Sequence, residues 1–187
     1  MSEKPILGNP AVVGLAGFGG TTLLLQFHNL GLCGIGPVFW SAMFFGGLMQ
    51  LIAGYQEFNT GNNFGFAAFT TYGAFWLALG GILLAVNYGM FDISTTDIGW
   101  FLVIFTLLTA IYFIGAMKQS GIHSTIFLTL LIGFILLDIS HLGGSAAFTT
   151  VAAIVLIVCA LSAWYLMAHV VYAQLGIKLP LGKPWIS

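Results

Sequence analysis

Long apolar runs, each cut off by a short polar or turn-rich stretch, fill the chain. They fall at about residues 11–30, 36–55, 65–88, 98–117, 122–140 and 146–172, each near the ~20 residues a helix needs to cross a hydrocarbon core. Helices are what such runs require, because a lone strand in hydrocarbon leaves its backbone N–H and C=O groups unpaired. The connections are short: His28 to Cys33, Gln56 to Asn63 with its Asn-Thr-Gly-Asn-Asn cluster, Gly89 to Asp97, Lys118 to Gly121, and His141 to Ser145. None can hold a soluble domain. The pattern predicts an all-α membrane protein, a six-transmembrane-helix bundle. Residues 1–10 form an N-terminal segment, 11–172 the membrane domain and 173–187 a C-terminal tail.

Composition agrees with the pattern. Of 187 residues, 59% are hydrophobic and 5% charged, against roughly a quarter charged in a soluble domain. A net charge of -1 offers no basic face for nucleic acid. Six spans place both termini and the second and fourth connections on one side, and Lys4, Lys118, Lys178 and Lys183 all fall there. The excess of lysine on cytoplasmic segments then predicts cytoplasmic termini and a multi-pass protein of the cell membrane. The segment before the first run lacks a strongly basic region, so the first helix is expected to stay in the protein. Cys33 and Cys159 have no partners at metal-ligand spacing and are expected to be free thiols.

The first helix opens at Asn9, whose side chain suits an N-cap, and Pro10, which suits a position where no donor is needed. Gly14, Gly17 and Gly20 follow three apart and allow close approach of another helix. At 1.5 Å per residue, Phe18, Tyr72 and Leu130 each come out about 10 to 14 Å from the cytoplasmic ends of the first, third and fifth helices. Ala163 lies at a similar level, and Gln50 somewhat nearer the cytoplasm. A layer of Phe, Tyr and Leu would be a hydrophobic constriction, passing small solutes that shed water and resisting hydrated ions. Taken singly, Phe18 and Leu130 also suit plain helix packing, whereas a phenol as deep as Tyr72 needs a hydrogen-bond partner.

Most threonines in the runs are expected to bond their own backbone one turn back. Thr22 and Gln50 are expected on a polar path, since an unpaired amide in lipid is costly, and Thr71 joins them as a path candidate. Glu57, Asp92, Asp97 and Asp138 fall at the ends of runs or in connections, which disfavours a buried carboxylate relay. The Asn9-Pro10-Ala11 helix start can hold an anion weakly with its N–H groups. His28 and His141 near one face, and His123 and His169 near the other, suit helix-end capping better than axial haem ligation. No cofactor, metal or enzymatic activity is predicted.

NPAVVGLAGFG, followed by TT, then QFHN and GNNFGFAAFTTYGAFW, resembles the succinate/acetate permease family, the acetate uptake transporters, over nearly the whole chain. The resemblance implies a homohexamer in membrane lipid with a pore in each protomer. Its expected solutes are acetate and related small monocarboxylates, and in some members succinate. By position it puts the family constriction on Phe18, Tyr72 and Leu130, and the opening signature on Asn9 and Pro10. Ala163 falls with Leu130 on positions that tune substrate size, and Gln50 on a polar position near the inner pore. Where the family usually reads Asn-Pro-Ala-Pro-Leu-Gly-Leu, this chain reads Asn-Pro-Ala-Val-Val-Gly-Leu, which bears on the inner mouth. The expected mechanism gathers acetate or acetic acid at that mouth, strips water at the three-residue layer, and passes the solute among Tyr, Thr and Gln groups. The alternatives are a channel for formate, ammonia or urea, and a haem-bearing membrane anchor.

Overall fold

A computed structural model describes residues 8–187; Lys4 and most of the segment 1–10 lie outside the described residues. Six long helices follow in order: α1 (Ala11–Asn29), α2 (Ile35–Thr60), α3 (Asn63–Tyr88), α4 (Thr95–Met117), α5 (Gly121–His141) and α6 (Ala147–Ala173), all long and apolar enough to cross a membrane. Their bounds follow the apolar runs closely because the punctuation is chemical. Asn62 caps α3 by accepting from the N–H of Gly65, and Ser94 and Asp97 form a reciprocal capping box at α4. Gly61 and Gly89 end α2 and α3 with positive φ, where a side chain would be strained. At α1 the Asn9 side chain accepts from the N–H of Ala11, with Pro10 already helical.

One expectation needs correcting. The Gln56–Asn63 connection is mostly helix, since α2 runs to Thr60, so Glu57 belongs to a helix face and is 3% exposed. Turn-forming letters marked the connection, but the Asn59-Thr60 pair is absorbed by bonds to the preceding turn.

A second feature of α2 left no mark in the hydropathy. Ser41–Leu48 is π-helical. Val38, Ala42, Gly46 and Gln50 are all buried at intervals of four. In an α-helix each such step drifts by about 40°, so the face would turn away by about 120° over three steps; the wider π turns keep it inward. Glycines make the approach possible, because a Cβ on Gly46 would lie 2.8 Å from the side chains of both Thr21 and Trp76. Beyond Gln50, the buried residues Ala53, Gly54 and Glu57 continue the face at ordinary helical spacing.

α1 packs on α6 and on α2, α2 on α3, and α5 lies between α4 and α6, while α3 and α4 touch little. The chain after α6 turns back under the bundle. Tyr165 donates to Pro180 O, His169 to Leu179 O, Ile122 N–H to Leu181 O and Trp185 N–H to Met117 O. That docking places the tail, the α4–α5 connection and Lys118, Lys178 and Lys183 at one end. The outer surface is apolar: Ile104, Leu107, Ile111 and Ile114 are exposed along one face of α4, and Val151, Ile154, Val158 and Leu161 along α6. A water-facing surface seldom carries patches of that size.

Candidate functional site

Three cavities lie in succession within the single chain. At the end that carries the tail, an open vestibule of about 520 Å³ is lined by residues including Asn9, Pro10, Glu57, Asn62, His123, His169 and Leu181. An inner chamber of about 90 Å³ shares Ala11, Leu15, Glu57, Asn62, His123 and Leu166 with it, and adds Gln50, Phe127, Phe18, Tyr72 and Leu130. Beyond lies a smaller outer chamber of about 30 Å³, with Thr22, Gln26, Trp76, Phe134 and Leu156 in its wall. Phe18, Tyr72 and Leu130 are the three residues common to the walls of the inner and outer chambers.

These three come from α1, α3 and α5 and are 5%, 3% and 4% exposed. The rings of Phe18 and Tyr72 lie 5.7 Å apart and tilted by 52°, with Phe127 behind Tyr72 at 6.3 Å. Tyr72 meets Thr109 Oγ1 at 2.9 Å, and Thr109 in turn donates to Phe105 O at 2.6 Å. Since the threonine proton is spent on the backbone, the phenol must be the donor between them. Its hydrogen is therefore committed to α4, and only its oxygen lone pairs remain to face a solute.

The polar inventory of the route is sparse and specific. Among the described residues six buried side-chain atoms lack a hydrogen-bond partner: Thr22 Oγ1, Gln50 Nε2 and Oε1, Glu57 Oε1, Trp76 Nε1 and Asp138 Oδ1. All but the last belong to residues in the cavity walls. An unmet buried polar group costs about 1–3 kcal/mol, so these atoms are the places where water or a solute is most rewarded. Gln50 is 0% exposed with both ends of its amide free, and Glu57 has one oxygen held by Asn62 at 2.8 Å and Thr60 at 3.3 Å and the other free.

The other candidates divide. Asn9 lines the vestibule and Thr22 the outer chamber. Thr71 does not line any of the three, and its hydroxyl pairs with Tyr112 at 2.9 Å. Ala163 is fully buried on α6 but contributes nothing to the walls. Thr70, Thr109, Thr125 and Thr129 all donate to a carbonyl one turn back, whereas the shorter bond of Thr106 goes to the Asp138 carboxylate at 2.6 Å.

The histidines serve chain ends: His28 donates to Cys33 O, His141 to Leu137 O and His169 to Leu179 O, while His123 pairs with Ser120 Oγ. Both cysteines are free, and the described residues contain no group of three His, Cys, Asp or Glu placed to hold a metal ion.

Glu57, Gln26, Trp76, Phe127 and His123 are wall residues that sequence reasoning missed. Gln26, 1% exposed, had the same signal as Gln50, an amide within an apolar run. Glu57 was hidden by its turn-like surroundings, and Trp76 by its place among aromatic residues whose facing a helix period alone cannot fix.

The model of the GPR1/FUN34/yaaH family matches residues 2–177. The succinate-acetate/proton symporter SatP of Escherichia coli K12 is 39% identical over 181 residues, 95% of this chain and 96% of that one. The ammonia transport outward protein 2 of Saccharomyces cerevisiae is 35% identical over 84% of this chain and 59% of its own length. Among solved structures, one described as the bacterial acetate channel SatP superposes with a TM-score of 0.91 at 38% identity, over 95% of this chain and 100% of that one.

Proposed function

The chain belongs to the GPR1/FUN34/yaaH family, and from that membership we propose that it moves acetate and related small monocarboxylates across the cell membrane by a route inside each protomer. It is a multi-pass membrane protein, and its matches to the E. coli symporter and to the bacterial channel structure, both over 95% of the chain, are to proteins named for acetate. The observation that carries the reading is the layer of Phe18, Tyr72 and Leu130 shared by the walls of two successive chambers. It is narrow and apolar, so a solute must lose most of its water there, and a small carboxylic solute with one methyl does so at less cost than a hydrated ion.

In this account the solute enters the vestibule past Asn9 and Glu57, pauses at Gln50, crosses the layer, and meets Thr22 and Trp76 on the far side. Ala163 and Thr71 act behind the wall, through the packing of α6 and through Tyr112. The end bearing Lys118, Lys178 and Lys183 faces the cytoplasm, in keeping with the charge bias of membrane proteins. The protomers associate as a homohexamer through their apolar outer faces, with lipid around the rim, and every copy keeps a complete route because all three cavities are built from one chain.

Uptake of labelled acetate by liposomes holding the purified protein tests this. Saturable entry above empty liposomes, competed by unlabelled acetate but not by urea or ammonium, is expected. Competition by ammonium with none by acetate would support the ammonia reading instead.

A further inference from the structure

The outer surface carries a fourth hollow that the solute route does not use. It is an open groove of about 630 Å³ between α5, α6 and the docked tail. Val158, Leu161, Ser162 and Tyr165 recur at intervals of three and four along α6, so they share one face and run about 10 Å along the helix. Ile122 and Thr125 of α5 complete the wall, and Leu181 and Trp185 of the tail stand at the end where α5 begins. Two of the wall hydroxyls are spent on backbone: Thr125 donates to Gly121 O at 2.9 Å and Tyr165 to Pro180 O at 2.9 Å. What the groove offers an occupant is mostly aliphatic and aromatic surface.

The rim at that end is basic. Trp185 N–H donates to Met117 O at 2.8 Å, which holds the tail beside Lys118, and a Cβ on Gly121 would lie 3.4 Å from Lys183 O. Both lysines are exposed. Of the acidic side chains among the described residues, Glu57 is at this end but 3% exposed, and Asp92, Asp97 and Asp138 lie toward the other end. The chain therefore brings these lysines no described acidic side chain, and neither does a second copy in the same membrane orientation. Because α5 begins at Gly121, the rim stands at the level of the lipid headgroups and the groove runs from there into the hydrocarbon. An occupant that suits both parts is apolar along its length and anionic at one end. We propose that the groove holds an acyl chain of an anionic phospholipid from the surrounding leaflet, with its phosphate at Lys118 and Lys183.

Trp185 lines the groove, so its fluorescence reads occupancy. The full chain is held in nanodiscs of phosphatidylcholine containing a rising fraction of acyl-brominated phosphatidylglycerol or acyl-brominated phosphatidylcholine, at one ionic strength. The Trp185 signal is the difference between the unaltered protein and Trp185→Phe. A lysine near an anionic lipid is worth about a fivefold gain in binding, so half-quenching should come at a mole fraction at least about fivefold lower with the glycerol lipid. Lys118→Gln and Lys183→Gln together should abolish that preference. Lys178→Gln should keep it, because Lys178 adjoins the Leu179 that accepts from His169 in the vestibule wall.

Since Trp185→Phe also alters the contact of the tail with Phe113, mass spectrometry of the unaltered protein stands as the independent arm. Released from detergent holding equal amounts of the two lipids, the protein should retain phosphatidylglycerol at least about fivefold over phosphatidylcholine. Equal quenching or equal retention of the two lipids would make the groove a place for ordinary boundary lipid. An equal loss of preference in Lys178→Gln would make the attraction a diffuse surface charge. No quenching by either lipid would mean that a neighbouring protomer covers the groove. Each of these outcomes overturns the proposal, and none of them bears on the transport reading.

Discussion

Replacing Leu130 with alanine should join the inner and outer chambers, and the structure supplies its own control. Leu130 is 4% exposed and lines both chambers, while Leu102 is 5% exposed and lines neither. Truncating a buried leucine costs about 2–5 kcal/mol, so Leu130→Ala and Leu102→Ala should lower the melting temperature to a similar degree. Their effects on solute choice should differ. One methylene of fit in an apolar site is worth about 1–3 kcal/mol of discrimination, so losing the reach of a leucine between the two chambers should raise lactate entry relative to acetate by at least about tenfold. Competition of lactate and succinate against labelled acetate, measured in both variants and in the unaltered protein, gives that ratio free of differences in protein amount. An equal ratio in Leu130→Ala and Leu102→Ala would show that Leu130 is a packing residue, and the layer would lose its role as a size limit.

Other perturbations follow from the same contacts. A Cβ on Gly17 would collide with the carbonyl oxygen of Phe45, which is backbone and cannot rotate away. Gly17→Ala should therefore cost about 1–3 kcal/mol or more, whereas Gly81→Ala meets nothing within 4 Å; equal thermal shifts for the two would contradict the close α1–α2 approach. Tyr72→Phe should lose about 0.5–1.5 kcal/mol of stability with its bond to Thr109 while keeping most acetate entry, because the phenol proton is not offered to the solute. A loss of entry beyond tenfold at unchanged melting temperature would assign that proton to the solute. Deleting residues 179–187 removes the contacts to Tyr165, His169, Ile122 and Met117. The melting temperature should fall with the acetate-to-lactate ratio unchanged, and an unchanged melting temperature would mean that the docked tail adds no stability.

The fold was legible because hydrocarbon leaves the chain few choices. Apolar runs of the right length have to be helices, and caps such as Asn62 and Ser94 sit where the runs begin. Depth was legible for the same reason: a residue count converts to a level in the membrane, which put Phe18, Tyr72 and Leu130 in one layer before their contacts were known. Direction was harder. A residue count does not say which way a side chain points, and so Thr71 and Ala163 share that depth without reaching the cavities. The π turns of Ser41–Leu48 rotate the rest of α2 in a way no hydropathy pattern records, and they decide that Gln50 and Glu57 look inward together. Glu57 itself was concealed because Asn59, Thr60 and Gly61 read as a turn, although only Gly61 leaves the helix.

The central claim, a route for small carboxylic solutes through each protomer, is tested most directly by labelled acetate entry into liposomes holding the purified protein, with two driving forces applied separately. One is a pH difference at zero membrane potential and the other a membrane potential at equal pH. The account predicts saturable entry above empty liposomes, competed by unlabelled acetate, under at least one of the two driving forces. No entry above empty liposomes under either driving force would contradict the route itself.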